Sequence, residues 1–267
     1  MPNQAFNLEA YFKRINYDGP TDVSYETLEA LHIAHTMNVP FENLDVILGR
    51  PILLDRESLF NKIVVNNRGG YCFEMNTFFK YVLDAMGFNA TILLTNRTRE
   101  RQEFASRTHQ LLLVEIDGQK YIADVGFGMN GLTAPIRLEV GVDQQQFTHT
   151  YRLEYDEDFG YILQNKIGDE YRTMFAFKLD PCNLADCQMS NHYMATYPES
   201  FFRKFRMVTM PTVEGRITLN HNTLKFYTNG QLTETELNSK EELKEALKKH
   251  FNLDLDVIGD EAASLAG

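Results

Sequence analysis

Residues 68 to 76 read Arg68-Gly69-Gly70-Tyr71-Cys72-Phe73-Glu74-Met75-Asn76, and the fold prediction starts from them. Two glycines suit a sharp turn, and the apolar residues that follow repeat at helical spacing as far as Gly87. The segment therefore predicts a turn that leads straight into a helix, with Cys72 at the helix start. Unsatisfied amides at a helix N-terminus favour a thiolate, and we expect Arg68 to add to that positive field.

The residues before this turn also have helical periods, as Leu8, Phe12 and Ile15 show, and Ser24 and Asp55 are candidate N-caps. From about Ala90 the pattern changes to short apolar runs separated by turn residues, which predicts antiparallel strands curled into a barrel. The predicted strands are 90–94, 110–116, 120–125, 150–155, 161–165 and 171–179.

A third region contains three further short strands, with Asn229-Gly230 as a type I′ hairpin signal. Ser239 and Glu242 then form a predicted capping box ahead of a closing helix that reaches Phe251. Helices first and strands afterwards indicate an α+β fold.

Composition excludes several classes of protein. The chain has 267 residues and a net charge of −11, the opposite sign from a non-specific nucleic-acid binder. No run of apolar residues approaches the length of a membrane span, and the first residues do not resemble a secretory signal. A cytoplasmic location is therefore expected, and with three cysteines in all, reduced thiols are expected.

The segment from His109 to Asp124 reads as a β-hairpin whose two-residue turn is Asp117-Gly118. If Ile116 pairs with Gln119, Asp124 lies on the same face as His109 and diagonally across from it. A register slip of one residue would place the two side chains on opposite faces. The turn therefore predicts that the imidazole and the carboxylate meet.

Cys72, His109 and Asp124 supply a nucleophile, a base and an orienting acid. Each has a structural alternative: an inert buried thiol, a histidine at a sheet edge and an aspartate that caps a strand. The approach of Cys72 to His109 is a tertiary contact, which spacing does not show. Only the combination supports catalysis.

Several segments together resemble the arylamine N-acetyltransferases. They are residues 68–76, Val39-Pro40-Phe41-Glu42-Asn43-Leu44, the strand that begins at His109, and Ala123-Asp124-Val125-Gly126-Phe127-Gly128. The similarity runs from Leu8 into the third region and is most specific over the first 128 residues. Tyr71 replaces the tryptophan often found beside the cysteine in that family, and we expect this change to alter the shape of the pocket.

The resemblance implies three domains: a helical bundle carrying the nucleophile (1–88), an antiparallel β-barrel carrying the histidine and aspartate (89–195), and an α/β lid (196–267). It implies that the first two form a cysteine-protease-like core. It also implies a ping-pong reaction that uses acetyl-coenzyme A as co-substrate, with Cys72 as nucleophile, His109 as base and Asp124 as third member. Backbone amides at the start of the Cys72 helix are the expected oxyanion donors.

Coenzyme A carries several phosphate charges, which an acidic protein must meet with a local cationic patch. Four arginines precede His109, and of these Arg99 and Arg101 are our candidates for phosphate contacts, beside a solvated loop as the alternative. The expected coenzyme contacts are Ser106, Thr108, Gly126, Phe127, Tyr193, Ser200, Arg99 and Arg101. The expected acceptor-pocket residues, which suit a flat aromatic amine, are Phe41, Tyr71, Phe127 and Phe202.

Cys182, Cys187 and His192 have a spacing unlike that of a usual zinc site, and we expect no metal. The segment around Pro181 is expected to be a packed connector between barrel and lid. Partners are expected to be small molecules, with neither nucleic acid nor membrane.

Other functions remain open at this stage. A cysteine hydrolase or transamidase uses the same trio, an amide synthase of the same family closes an amide within its substrate, and a non-catalytic module would retain the trio unused.

Overall fold

The computed structural model describes residues 7–98 and 104–259. The N-terminal region is helical, and a π-helical segment, Asn61–Val65, continues its fourth helix. The helices are α1 (Leu8–Arg14), α2 (Tyr25–Asn38), α3 (Leu44–Ile47), α4 (Arg56–Phe60) and α5 (Cys72–Met86). Ser24 and Asp55 accept hydrogen bonds from Thr27 N and Ser58 N, so both predicted N-caps are confirmed.

Helix α5 is the central helix of this region, and every residue from Cys72 to Phe79 is buried. It begins at Cys72 and ends at Gly87, which has the left-handed conformation, as the sequence predicts. The turn before it needs glycine, because a Cβ on Gly69 would lie 1.8 Å from the Pro40 carbonyl oxygen. Glycine is therefore required where this turn passes against the Val39–Pro40 segment.

An antiparallel sheet of eight strands forms the barrel. The strands are β2 (Asn89–Thr98), β3 (Phe104–Ile116), β4 (Gln119–Ala123), β5 (Ile136–Arg137), β6 (Gln144–Gln146), β7 (His149–Asp156), β8 (Gly160–Ile167) and β9 (Glu170–Phe177). Their spatial order is β5-β4-β3-β2-β9-β8-β7-β6. Strands β3 and β4 form a hairpin with a two-residue turn. In this hairpin Ile116 pairs with Gln119, as predicted.

Glutamine side chains link the two edges of this sheet. The Gln144 side chain accepts from Arg137 N at 2.7 Å and donates to the Arg137 carbonyl at 2.9 Å, and thus replaces a strand-to-strand pair. Gln146 likewise accepts from Thr133 N and Ala134 N. The barrel is near-closed, and its unpaired edges are bridged by side chains rather than by a ninth strand.

Two helices follow the barrel: α6 (Leu184–Thr196) and α7 (Phe201–Lys204). The packed connector predicted around Pro181 corresponds to the segment between β9 and α6, where Cys182 N donates to the Ile92 carbonyl and Cys182 packs against the core, but helix α6 after it was not predicted. Asn183 caps α6 through bonds from Ala185 N and Asp186 N, and Cys187 is the fully buried residue of its inner face. The helix was missed because its apolar residues do not follow a helical period.

The C-terminal region is a second antiparallel sheet, covered by a helix. Its strands are β10 (Met207–Thr212), β11 (Gly215–Asn220), β12 (Thr223–Thr228) and β13 (Gln231–Glu236), and the helices are α8 (Lys240–Phe251) and α9 (Leu255–Ile258). Strand β1 (Phe41–Glu42), from the helical region, pairs with β10. The lid sheet is thereby joined to the segment just before the Cys72 turn.

The capping box predicted for α8 is half formed. Ser239 Oγ accepts from Glu242 N at 3.1 Å, but the Glu242 carboxylate accepts from Asn238 N instead of Ser239 N.

Of the predicted domain limits, 88/89 falls between α5 and β2, whereas 195/196 falls in the last turn of α6. Within residues 7–98 and 104–259, no helix is long and apolar enough to span a bilayer.

Candidate active site

Cys72 is the first residue of α5 and is 2 % exposed. The loop after β4 presses against it, since a Cβ on Gly126 would lie 2.9 Å from Cys72 Cα and 2.8 Å from Asn76 Nδ2. The backbone N–H groups of Phe73 and Gln110 interact with its sulfur. The structure therefore places the thiol beside the backbone of β3, next to the residue that follows His109.

His109 and Asp124 are in contact, as the hairpin register predicts. His109 Nε2 donates to Asp124 Oδ2 at 2.6 Å, and both side chains are almost fully buried. The ladder between β3 and β4 ends at the pair Leu112 and Ala123, so both residues lie just beyond the paired part of the hairpin. Because Nε2 is bound to the carboxylate, Nδ1 is the basic nitrogen of the neutral ring.

Asp124 is held by three donors in addition to its packing. Asn76 Nδ2 and Gly126 N donate to Oδ1, at 2.9 Å and 3.0 Å, while His109 binds Oδ2. Burial by itself would raise the pKa of this carboxyl, but the electrostatic interaction and the hydrogen bond with His109, together with the hydrogen bond from Asn76, hold it below its usual range. Asp124 is therefore an anion at neutral pH.

Asn76 is a positioning residue that sequence reasoning quoted without giving it a role. Its Nδ2 also donates to the Gln110 carbonyl at 2.6 Å, and its Oδ1 accepts from Val125 N at 3.0 Å. It lies four residues after Cys72 and so on the same face of α5. That spacing is the signal that could have identified it.

His32 on α2 is a second residue that the sequence did not indicate. Its Nε2 accepts from Asp124 N at 3.0 Å and its Nδ1 donates to the Thr133 carbonyl at 2.9 Å. Burial lowers the pKa of His32 to about 4, so the ring is neutral and has the tautomer that these two bonds need. Ninety-two residues separate His32 from Asp124, and no local pattern joins them.

The environment of the Cys72 thiol differs from the expectation. Burial raises the pKa of Cys72 to about 12, although the nearby charge of Arg97 and the N–H groups of Gln110 and Phe73 act in the opposite direction. The helix start favours the thiolate, as expected, but removal from water costs the thiolate more than the helix end returns. A proton acceptor is needed.

Arg68, which we expected to add to the positive field at Cys72, is paired with carboxylates and is not among the groups that shift the pKa of the thiol. Its guanidinium is bound by Glu42 at 2.7 Å and by Asp45 at 3.2 Å, and Lys62 links Asp45 to Glu74. Glu74 in turn accepts from Tyr71 N at 3.1 Å. This buried ion network therefore fixes the turn before Cys72.

The residues predicted for the acceptor pocket lie together around Phe202. Its ring is 5.5 Å from Tyr71 and 5.9 Å from Phe41, between ring centres. Phe127 meets His109 edge-on at 5.1 Å, and the Arg97 guanidinium lies 5.2 Å from the Phe127 ring and 6.0 Å from Phe202. Arg97 thus joins the aromatic groups to the surroundings of Cys72.

The predicted coenzyme contacts are more dispersed. Thr108 is buried and donates to the Ser106 carbonyl, and the buried Ser200 donates to the Met194 carbonyl. Tyr193 is exposed on α6 and stacks on Tyr197. The candidates Arg99 and Arg101 lie outside the described residues. These binding roles stay predictions.

The other two cysteines make different contacts. Cys187 is buried in the core beneath α6, and Cys182 donates to the Asp180 carbonyl. Over the described ranges, no group of three or more His, Cys, Asp or Glu side chains is placed to hold a metal ion.

A helical region whose buried cysteine lies against the barrel strand that carries an imidazole–carboxylate pair defines a class of α+β proteins in which a thiol is the candidate nucleophile. A family model described as N-acetyltransferase matches residues 24–259. This chain belongs to the arylamine N-acetyltransferase family. The similarity extends over nearly the whole chain.

Particular relatives agree with this assignment. The arylamine N-acetyltransferase of Escherichia coli (strain K12) is 39% identical over 252 residues, which are 93% of this chain and 89% of that protein. The solved Salmonella typhimurium arylamine N-acetyltransferase has a TM-score of 0.88 at 35% identity, over 92% of this chain and 90% of its own. The Mycobacterium marinum enzyme solved in complex with CoA has a TM-score of 0.90 at 31% identity, over 96% of each chain.

Proposed function

We propose that this chain transfers an acetyl group from acetyl-coenzyme A to the nitrogen of arylamines or arylhydrazines, by a ping-pong reaction through an acetyl-cysteine at Cys72. The observation that carries the proposal is the placement of the Cys72 sulfur against Gln110, directly after His109, whose ring binds Asp124 at 2.6 Å. Similarity to proteins named as arylamine N-acetyltransferases supports the donor and the acceptor.

The first half-reaction begins with a proton transfer. Because burial raises the pKa of Cys72 to about 12, forming the thiolate requires a proton acceptor, and His109 Nδ1 is the proposed one. The buried Asp124 carboxylate stabilises the imidazolium that results. The thiolate then attacks the acetyl carbonyl, and the coenzyme A thiolate leaves with the proton from His109.

In the second half-reaction the arylamine nitrogen attacks the acetyl-cysteine carbonyl. His109 takes the excess proton from nitrogen, the tetrahedral intermediate collapses, and the Cys72 sulfur leaves and regains a proton. The N–H groups of Phe73 and Gln110, which interact with the sulfur, are the proposed oxyanion donors. The sequence had indicated only the helix-start amides for this role.

Substrate contacts are part of the proposal. Phe41, Tyr71, Phe127 and Phe202 would line the acceptor pocket, where a flat ring packs against aromatic side chains. Gly126 and Phe127 would also border the acetyl-pantetheine end of the donor. We include no metal, and we place the protein in the cytoplasm, where thiols are kept reduced.

Mass spectrometry tests this function. Brief exposure to acetyl-coenzyme A should add one acetyl group to Cys72, and an aromatic amine should then remove it as the acetylated amine. Cys72→Ala should abolish the adduct, while Cys182→Ala should keep it. An adduct that forms at the native rate in Cys72→Ala would contradict the mechanism. Release of the acetyl group to water or to a peptide, but not to an amine, would favour a hydrolase or a transamidase.

A further inference from the structure

A small cavity lies beside the proposed acceptor pocket, between the loop after β4 and the lid strands β10 and β11. Its volume is about 20 Å³, and its lining includes Phe41, Asp124, Phe127, Gly128, Thr209 and Arg216. A space of this size admits a group of about the size of one water molecule, such as one carboxylate oxygen. Because Phe41 and Phe127 line both spaces, the cavity adjoins the place where the acceptor ring would lie.

Arg216 brings a positive charge to this cavity from the lid. It is 7 % exposed and stands on β11, where its Nη1 donates to Thr209 Oγ1 at 3.2 Å. Its buried Nε has no hydrogen-bond partner within the part of the chain that the structure describes. Burial lowers the pKa of Arg216 to about 10, so the side chain still carries its charge at neutral pH.

Other buried arginines have hydrogen-bond or charge partners of a different kind. Arg68 is equally buried but pairs with Glu42 and Asp45. Arg206 donates to the His221 carbonyl and to Asn222. For Arg216 the described residues supply one hydrogen bond, to the Thr209 hydroxyl, and an electrostatic interaction with the Tyr151 hydroxyl, but no carboxylate. A buried cation without a counter-charge is costly, and an anion in the adjoining cavity would offset that cost.

Asp124 does not supply this counter-charge. Its two oxygens are already bound by His109, Asn76 and Gly126, and its charge faces the imidazole. The chain as a whole has a net charge of −11, which repels anions over long distances. An anionic ligand would therefore need a local, desolvated cation, and Arg216 is placed to be one.

We propose that Arg216 is an anion subsite of the acceptor pocket and binds a monoanionic group. This inference rests on the proposed function, because the first source of such a group is the carboxylate of an aromatic amine whose nitrogen points towards Cys72. The second source is a small free anion such as formate. Acceptors that carry a ring carboxylate would then be used in preference to neutral ones of the same shape.

The test compares para-aminobenzoate with para-aminobenzamide, its neutral counterpart of similar shape, as acceptors of the acetyl group. The ratio of their kcat/KM values is measured for the wild type and for Arg216→Met. We expect the substitution to lower the ratio by about tenfold, which corresponds to about 1.4 kcal/mol. Arg216→Lys should lose less, because it keeps the charge but not the planar fork of donors.

Matched variants identify the responsible residue. Arg206→Met removes another buried lid arginine that is outside the cavity, and it should leave the ratio unchanged. Arg97→Met removes the cation on the aromatic cluster. A ratio that falls in Arg97→Met and stays constant in Arg216→Met would overturn the proposal.

Ligand-induced shifts in Tm test whether a free anion binds, and they do not require a variant to be active. Formate or benzoate, but not benzamide, should raise the Tm of the wild type by about 2 °C or more, and this shift should be absent in Arg216→Met. A formate shift without any preference for para-aminobenzoate would assign the subsite to a free anion. If the wild type shows neither the Tm shift with formate or benzoate nor a preference for para-aminobenzoate, the inference is overturned.

The outcomes also separate this inference from the proposed function. Acetylation of para-aminobenzamide by the wild type supports the function, whatever Arg216 does. If neither amine is acetylated while benzoate still raises the Tm through Arg216, the function fails and the anion subsite stands.

Discussion

The side-chain amide of Asn76 donates to Asp124 Oδ1 across 2.9 Å, from one helical turn beyond Cys72. The same side chain binds the Gln110 carbonyl and Val125 N. Asn76 therefore connects the helix that begins with the candidate nucleophile to both strands of the hairpin that carries His109 and Asp124. The candidate nucleophile and the His109–Asp124 pair come from separate regions of the chain, and one amide holds those regions in register.

Asn76→Ala should lower the rate of acetyl-enzyme formation by about 10- to 100-fold, because small displacements of reacting groups have effects of that size. It leaves Val125 N without its acceptor and removes one of the two donors to Asp124 Oδ1, which should destabilise the protein by about 1–3 kcal/mol. Rapid-quench mass spectrometry and urea unfolding measure the two effects. The exposed Asn66→Ala should change neither. A native acylation rate in Asn76→Ala would refute the positioning role.

The pH dependence of thiol alkylation tests the proton acceptor. With a pKa of about 12, an unassisted Cys72 would be ionised to only about one part in 10⁵ at pH 7. In His109→Gln the rate of reaction with iodoacetamide should therefore be low at pH 7 and rise about tenfold per pH unit towards pH 10. The wild type should react much faster at pH 7. Equal rates in the two proteins at pH 7 would contradict this role of His109.

His32 should make stability depend on pH. Its pKa is about 4 in the folded protein and close to 6.5 in the unfolded chain, so the unfolded state binds the extra proton between these values. The free energy of unfolding should therefore decrease as the pH falls from 6.5 to 4, with about 3 kcal/mol attributable to this residue.

Urea unfolding at several pH values measures that decrease. His32→Gln should be less stable at pH 7 but should lose less free energy of unfolding on acidification. Of the two buried histidines, only His35 would then still contribute to the pH dependence. The exposed His192→Gln should behave as the wild type. An unchanged slope in His32→Gln would exclude His32 as the titrating group.

Gly126→Ala should displace the backbone of Cys72, because the added Cβ would lie 2.9 Å from Cys72 Cα. We expect acetylation to fall at least about tenfold, together with a lower Tm. Gly118→Ala is the matched control: its left-handed backbone costs about 1–2 kcal/mol, but no atom lies within 4 Å of the new methyl group. Normal acetylation in Gly126→Ala would show that the loop moves freely away from the thiol.

Local rules predicted much of this protein correctly. The Asp117-Gly118 turn, with both residues in the left-handed conformation, sets the hairpin register and hence the meeting of His109 with Asp124. The caps at Ser24 and Asp55 and the start of α5 at Cys72 likewise depend on residues within a few positions of each other. Such features can be read from a chain because turns, caps and alternation act over short separations.

The folded structure decided what depends on distant segments. It buries Cys72 and so raises the pKa of its thiol, pairs the charge of Arg68 with Glu42, and brings His32 to the amide of Asp124. It also leaves Arg216 of the lid with no carboxylate partner among the described residues, beside the aromatic pocket. Burial and long-range pairing arise only when whole layers pack together, and no periodicity along the chain encodes which side chain will lose its water.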